Sequence, residues 1–289
     1  MDNKLIKVDD LSFRYAGAEL YSIKHISFEV EKGETVGIIG HTGAGKSTLG
    51  YCLRGLAPES VRGRLRGNIY IDGVSIKDMS LKELAERFGI VFQDPESQII
   101  GSMVLEDMVF GMSNLEYEYH EMLDSADKML DRLKLLPKKY VETANLSGGQ
   151  KQRLAIGGVL TMKPHILFLD EPTTELDPVG KKEVFDMIRE IKKNDPDTTI
   201  LLVSHQVELL AEIADRILVM CNGELIKEGK PYEIFADDEL MNKVSERSPQ
   251  GISLIKKLYE KGIGDPDQLK NYDVESISDY LYKYCVSEG

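Results

Sequence analysis

Apolar and polar positions change their period several times along the chain, and each change marks an element. Between Ile6 and Val30 the fragments Leu11-Ser12-Phe13 and Ile26-Ser27-Phe28-Glu29-Val30 alternate. Period-two patterning of this kind predicts two or three antiparallel strands, each with one buried face. Four later runs are continuously apolar: Thr35 to Ile39, Phe88 to Phe92, Ile166 to Leu169 and Thr199 to Ser204. Short runs like these fit strands buried on both faces of a parallel sheet. From about Pro95 to Leu146 the spacing is mostly helical, with Met122-Leu123, Ala126, Met129-Leu130 and Leu133 on one face. Pro137 is expected to end that helix, and its methionines read as core filler. Arg153 to Met162 and Val179 to Lys193 read as further helices. Asn222-Gly223 reads as a tight turn between strands at 216–220 and 224–228.

The pattern shifts again near residue 237. Ser245-Glu246-Arg247-Ser248-Pro249-Gln250-Gly251 has the composition of a linker. Two short amphipathic helices follow it. Ile255, Leu258 and Tyr259 stripe the first; Ile277, Tyr280, Leu281 and Tyr284 stripe the second. A stripe of that size needs cover, either from the parent domain or from a second subunit. Because a linker would detach it, the second helix is a candidate dimer contact.

Candidate chemistry begins where the first apolar run ends. Gly40-His41-Thr42-Gly43-Ala44-Gly45-Lys46-Ser47-Thr48 matches G-x-x-x-x-G-K-[ST] in full. It sits between a strand and a helical stretch to Leu53, the context a phosphate-binding loop requires. Gly40, Gly43 and Gly45 let the backbone approach phosphate without a Cβ clash. Lys46 would reach the β- and γ-phosphates of a nucleoside triphosphate, and the Ser47 hydroxyl would ligate Mg²⁺. The strand from Ile166 ends in Asp170-Glu171. Acids at a strand end are often only solvated, but beside a phosphate loop they fit a metal-holding acid, Asp170, and a base for the attacking water, Glu171. A second phosphate-gripping element follows Leu146. In Ser147-Gly148-Gly149-Gln150, exposed N–H groups at a helix start suit an anion.

Leu146-Ser147-Gly148-Gly149-Gln150 together with the loop resembles the ATP-binding-cassette (ABC) ATPases, over about residues 4–235. The resemblance implies an α/β fold: a P-loop ABC ATPase core with an antiparallel β subdomain and a helical subdomain at about 95–162. The ATPase domain would cover 1–236, and a small helical extension 237–289. It implies that ATP is sandwiched between one subunit's loop and Ser147 to Gln150 of the other. It further implies that Tyr15 stacks on adenine and Gln93 senses Mg²⁺. In the same reading Asp177 lies in the segment crossing to the other subunit, and His205 contacts the γ-phosphate. Glu175 departs from the small residue usual in the family. None of the catalytic positions Glu171, His205 and Gln93 is degenerate, so a working ATPase is expected.

The stretch Phe88 to Gln98, followed by Val104 to Gly111, is similar to the energy-coupling-factor group, as is the tail from Pro249 to Gly262. That resemblance implies a motor subunit for uptake of a vitamin or a transition-metal ion. Its partners would be a second ATPase subunit, identical or paralogous, an integral membrane coupling component and a substrate-binding membrane component. The competing reading is a soluble ABC ATPase acting on nucleic acid or ribosomes.

Composition bears on that choice. The 36 basic and 49 acidic residues give a net charge of −13. Such a balance disfavours general nucleic-acid binding and direct adhesion to an anionic leaflet. The basic stretch from Arg54 to Arg66, with Arg62 and Arg64, reads as a solvated loop between helix and strand. No apolar run approaches the roughly 20 residues of a membrane helix, and Met1 to Leu5 lacks an apolar signal region. The chain is therefore expected on the cytoplasmic side of the membrane, held there by protein partners. Cys52, Cys221 and Cys285 are odd in number and widely spaced, which fits a reducing cytosol rather than disulfide or metal chemistry.

Overall fold

The computed structural model describes residues 4–269 and 272–286. Residues 1–3 and the side chain of Cys285, both weighed above, lie outside the described residues. β1 (Lys4–Tyr15) pairs antiparallel with β2 (Ile23–Glu31); β3 (Thr35–Ile39) then runs into the glycine loop and α1 (Lys46–Leu53). β4 (Gly63–Ile71) and β5 (Val74–Ser75) complete a sheet of order β2-β1-β4-β5. The Arg54–Arg66 stretch is therefore only partly loop: Arg64 and Arg66 lie in β4, opposite Arg14 and Ser12 of β1. Their charge hid the strand. Part of the like-charge cost is relieved by Tyr21, whose ring centre lies 5.6 Å from the Arg14 guanidinium and 5.9 Å from that of Arg66.

After α2 (Leu81–Arg87) and β6 (Phe88–Val91) come three helices, α3 (Val104–Asn114), α4 (Tyr119–Arg132) and α5 (Gly148–Leu160). Met108, Met112, Ala126, Leu130 and Leu154 fill the space between them and are fully buried. The helical stop differs from expectation. α4 ends at Arg132, well before Pro137, because Lys134 adopts φ +57° and the Leu135 N–H bonds the Leu130 carbonyl at 2.7 Å. A left-handed cap, not the proline, closes the helix.

β7 (Ile166–Asp170), α6 (Pro178–Asn194), β8 (Thr199–Val203), α7 (Val207–Ile213), β9 (Arg216–Cys221) and β10 (Glu224–Gly229) follow. The second sheet has the order β10-β9-β3-β8-β7-β6 and is parallel except for the β9–β10 hairpin. All residues of β3, β7 and β8 are buried, as continuous apolar runs require. The segments leaving β3, β6, β7 and β8 emerge at one carboxyl edge, where open α/β sheets carry their ligands.

The tail forms α8 (Pro231–Phe235), α9 (Asp238–Lys243), α10 (Gln250–Glu260) and α11 (Val274–Leu281). Here the structure corrects the linker reading. Val244 and Ile252 are fully buried in the same apolar cluster as β7 and β8, Pro249 is buried, and the Ser248 hydroxyl donates to the Phe235 carbonyl at 2.5 Å. The stripe considered as a dimer contact is also covered within the chain. Tyr280 is only 5% exposed, and Ile277 sits so tightly on Gly251 that a Cβ there would meet its Cδ1 at 2.3 Å.

Candidate functional site

Backbone geometry builds the loop before any side chain acts. Gly40 has φ +151°, and a Cβ on it would lie 2.2 Å from the Met220 carbonyl oxygen of β9. Gly45 caps α1 at φ +101°, where a Cβ would meet the Ser22 carbonyl at 2.6 Å. Only glycine fits both places. The Asn222-Gly223 turn, itself on the border of the cavity, braces the loop. Gly223 N–H donates to the Ala44 carbonyl at 3.1 Å, and Asn222 N–H to His41 Nε2 at 3.4 Å. His41 and Ala44 thus support the loop rather than line its mouth.

The loop opens on a cavity of about 860 Å³, bordered by Thr42, Gly43, Gly45, Lys46, Ser47 and Thr48. Gln93, Asp170, Glu171 and His205 face it from the ends of β6, β7 and β8, and Tyr15 lies at its side. The volume is in the range of small-molecule sites. Lys46 is buried; its ammonium donates to the Gly40 carbonyl at 2.6 Å and to that of His41 at 3.3 Å. Burial pulls its pKa below the usual lysine value, while Glu171, Glu246 and Asp170 pull it back up. Burial likewise pushes the Asp170 carboxyl up, against a hydrogen bond from Ser47.

Glu171 is 8% exposed and holds the left-handed φ of +50°, a strained conformation for a non-glycine residue. The Thr174 hydroxyl donates to its Oε2 at 2.9 Å, and His205 Nε2 stands 3.0 Å from its Oε1. The other ring nitrogen of His205, Nδ1, is hydrogen-bonded to Glu246. Tyr15 donates or accepts a 2.9 Å bond with Thr48 and stands edge-on to Phe13, 5.0 Å between centroids.

Ser147, Gly148, Gly149, Gln150 and Asp177 do not line this cavity. Ser147 caps α5 reciprocally with Gln150: Ser147 N–H donates to Gln150 Oε1 at 3.1 Å, and Gln150 N–H to Ser147 Oγ at 3.4 Å. Asp177 caps α6, accepting from Gly180 N–H at 2.7 Å. The two helix starts touch, since a Cβ on Gly149 would sit 3.3 Å from the Gly180 Cα. Ser147 and Gly148 are exposed, so the start of α5 faces outward.

Four residues escaped sequence reasoning, Thr174 among them. Gln98 closes the segment carrying Gln93, accepting from Phe92 N–H at 3.1 Å and donating to the Ile90 carbonyl at 3.2 Å. Glu96 pairs with Lys151 and so ties that segment to α5. Glu246 lay in the supposed linker, where no local pattern marks it. Cys52, on the buried face of α1, has its thiol pushed up to about 12 by burial and takes no part.

The residues fit Mg²⁺. Ser47, Gln93 and Asp170 border the same cavity, and Asp170 Oδ1 is buried without a hydrogen-bond partner. Hard oxygen donors of this kind, few in number, suit a cation that keeps water and phosphate as its other ligands. Among the described residues no cluster of three or more His, Cys, Asp or Glu forms an all-protein metal cage.

A strand–loop–helix phosphate cradle, with a buried acid pair at the carboxyl edge of the same parallel sheet, defines a P-loop nucleoside triphosphatase. The chain belongs to the ABC transporter family, whose profile matches residues 23–174, and it is an ATPase. It is 41% identical over 287 residues to the energy-coupling factor transporter ATP-binding protein EcfA2 of Caldanaerobacter subterraneus subsp. tengcongensis, covering 96% of this chain and 97% of that one. Among solved structures, cbiO1 from Clostridium perfringens, part of the ABC transporter complex cbiONQ, aligns with a TM-score of 0.71 at 34% identity. That alignment covers 90% of this chain and all of the other. A dimeric ATP-binding cassette in a post-hydrolysis state, bound to ADP and Pi, aligns at 0.68 and 26% identity, over 78% of this chain and 99% of its own.

Proposed function

We propose that this chain is the ATP-hydrolysing motor subunit of a membrane importer of the energy-coupling-factor type, driving uptake of a vitamin or a transition-metal ion. The observation that carries the reading is one cavity in which Lys46, Asp170, Glu171 and His205 converge, in a chain that matches an energy-coupling factor ATPase over nearly its whole length. Among the described residues no helix is long and apolar enough to cross a membrane. The motor therefore works peripherally, at the cytoplasmic side, through an integral coupling component and a substrate-binding membrane component.

Lys46, already stripped of water, is the cation for the β- and γ-phosphates of ATP. Ser47 and Asp170 would hold Mg²⁺, with Gln93 beside them, and the ion would supply charge neutralisation at the phosphates. Glu171 takes the proton of the attacking water; the Thr174 hydroxyl and the His205 backbone N–H hold its Oε2, and the His205 ring lies against its Oε1. His205 also reaches the γ-phosphate, and Tyr15 offers its ring to adenine. Ser147 to Gln150 face outward, so they complete the site of a second subunit, identical or paralogous, with Asp177 at the crossing.

Affinity purification of the tagged chain from detergent-solubilised membranes of its own cell tests this. Co-elution of integral membrane proteins, with ATPase activity, is expected. Recovery with ribosomal particles and without membrane protein would overturn the importer reading.

A further inference from the structure

The acid on His205 comes from outside the ATPase motifs. Glu246 lies in the tail, beyond the last strand of the sheet, yet its side chain is 8% exposed and hydrogen-bonded to His205 Nδ1. The peptide that carries it is held on both sides. Val244 before it is fully buried, and Pro249 after it is buried. Ser245 takes φ +59°, and the Glu246 N–H donates to the Met241 carbonyl at 3.0 Å. These contacts turn the chain at the end of α9 and bring the carboxylate onto the His205 ring, which itself borders the nucleotide cavity. A left-handed φ at a non-glycine residue persists only where the surroundings enforce it.

An imidazole has two tautomers and two flipped orientations, and only its surroundings choose among them. A carboxylate on Nδ1 requires the proton there and fixes the plane of the ring. Nε2 stands 3.0 Å from Glu171 Oε1, and toward that carboxylate or a phosphate it serves only as a donor, carrying a proton of its own. We infer that Glu246 is a positioning residue for ATP hydrolysis: it holds the His205 ring so that Nε2 faces Glu171 and the γ-phosphate. The inference rests on the roles proposed above for His205 and Glu171. It makes the tail part of the catalytic apparatus rather than an appendage. Supporting groups of this kind are worth about 10- to 100-fold in activity.

The test compares Glu246→Ala, Glu246→Gln, His205→Ala and the double variant His205→Ala/Glu246→Ala in the full chain assembled with its membrane partners. Glu246→Ala should lower kcat about 10- to 100-fold while KM for MgATP stays within about threefold. Glu246→Gln, whose amide oxygen accepts the same N–H, should keep most of kcat. The double variant should be no slower than His205→Ala, because both remove one unit. A Glu246→Ala kcat within about twofold of the parent overturns the inference, as does a double variant slowed by the product of the single effects. Normal turnover by His205→Ala would instead remove the underlying reading of the site. Should the alanine variant melt early, ¹⁵N NMR of the unaltered chain decides: a proton on His205 Nδ1 supports the inference, and a bare Nδ1 overturns it.

Discussion

Glu171→Gln isolates the chemical step. The two side chains are nearly the same shape, so the amide still accepts from the Thr174 hydroxyl, which bonds Glu171 Oε2 at 2.9 Å. Trading a charged acceptor for a neutral one costs about 1 kcal/mol of folding stability per bond. Relief of a carboxylate that is only 8% exposed offsets part of that, so the net change should stay within about 2 kcal/mol. Kinetics behave differently, because an amide cannot take the proton from water. Loss of a positioned base removes about 10²- to 10⁴-fold in rate, or about 2.7 to 5.4 kcal/mol at 1.36 kcal/mol per decade. Phosphate release at saturating MgATP should fall by that factor, with ATP affinity retained. Sedimentation in ATP should show a trapped dimer, since the hydrolysis that parts the halves is blocked. The reasoning fails if turnover stays within about threefold of the parent at unchanged melting temperature, a loss too small for a general base.

Lys46→Ala should weaken ATP binding by about 10²- to 10⁴-fold, the loss of two charge-assisted contacts worth about 1.5 to 3 kcal/mol each; calorimetric titration showing unchanged affinity would remove the phosphate-loop assignment. Gly149→Asp adds bulk and negative charge at an exposed helix start, where the free cavity containing Lys46 is untouched. ATP should still bind each chain while turnover collapses, and normal hydrolysis at every protein concentration would show that Ser147 to Gln150 complete no shared site.

Which features were legible follows from the distance over which each is determined. The glycine loop, the buried strands and the Asn222-Gly223 turn announce themselves within a few residues, because backbone conformation and local apolar runs suffice. β4 was hidden because Arg64 and Arg66 pair with β1 instead of presenting an alternating apolar face. The stop of α4 was assigned to Pro137, although the chain had already turned at Lys134. Glu246 reaches His205 across 41 residues, and composition alone made its surroundings look like a tether. Buried neighbours, not the segment's own residues, give that peptide its shape.

The outward-facing helix start at Ser147 has a genetic consequence. In a pair of identical chains, each ATP would draw its loop from one copy and its cap from the other. A chain damaged at Lys46 and a chain damaged at Gly149 are each inert by themselves. Mixed, they place both lesions in one shared site and leave the opposite site with two sound halves. Two null alleles should then complement each other inside a single assembly, whereas two alleles damaged at the same position should not.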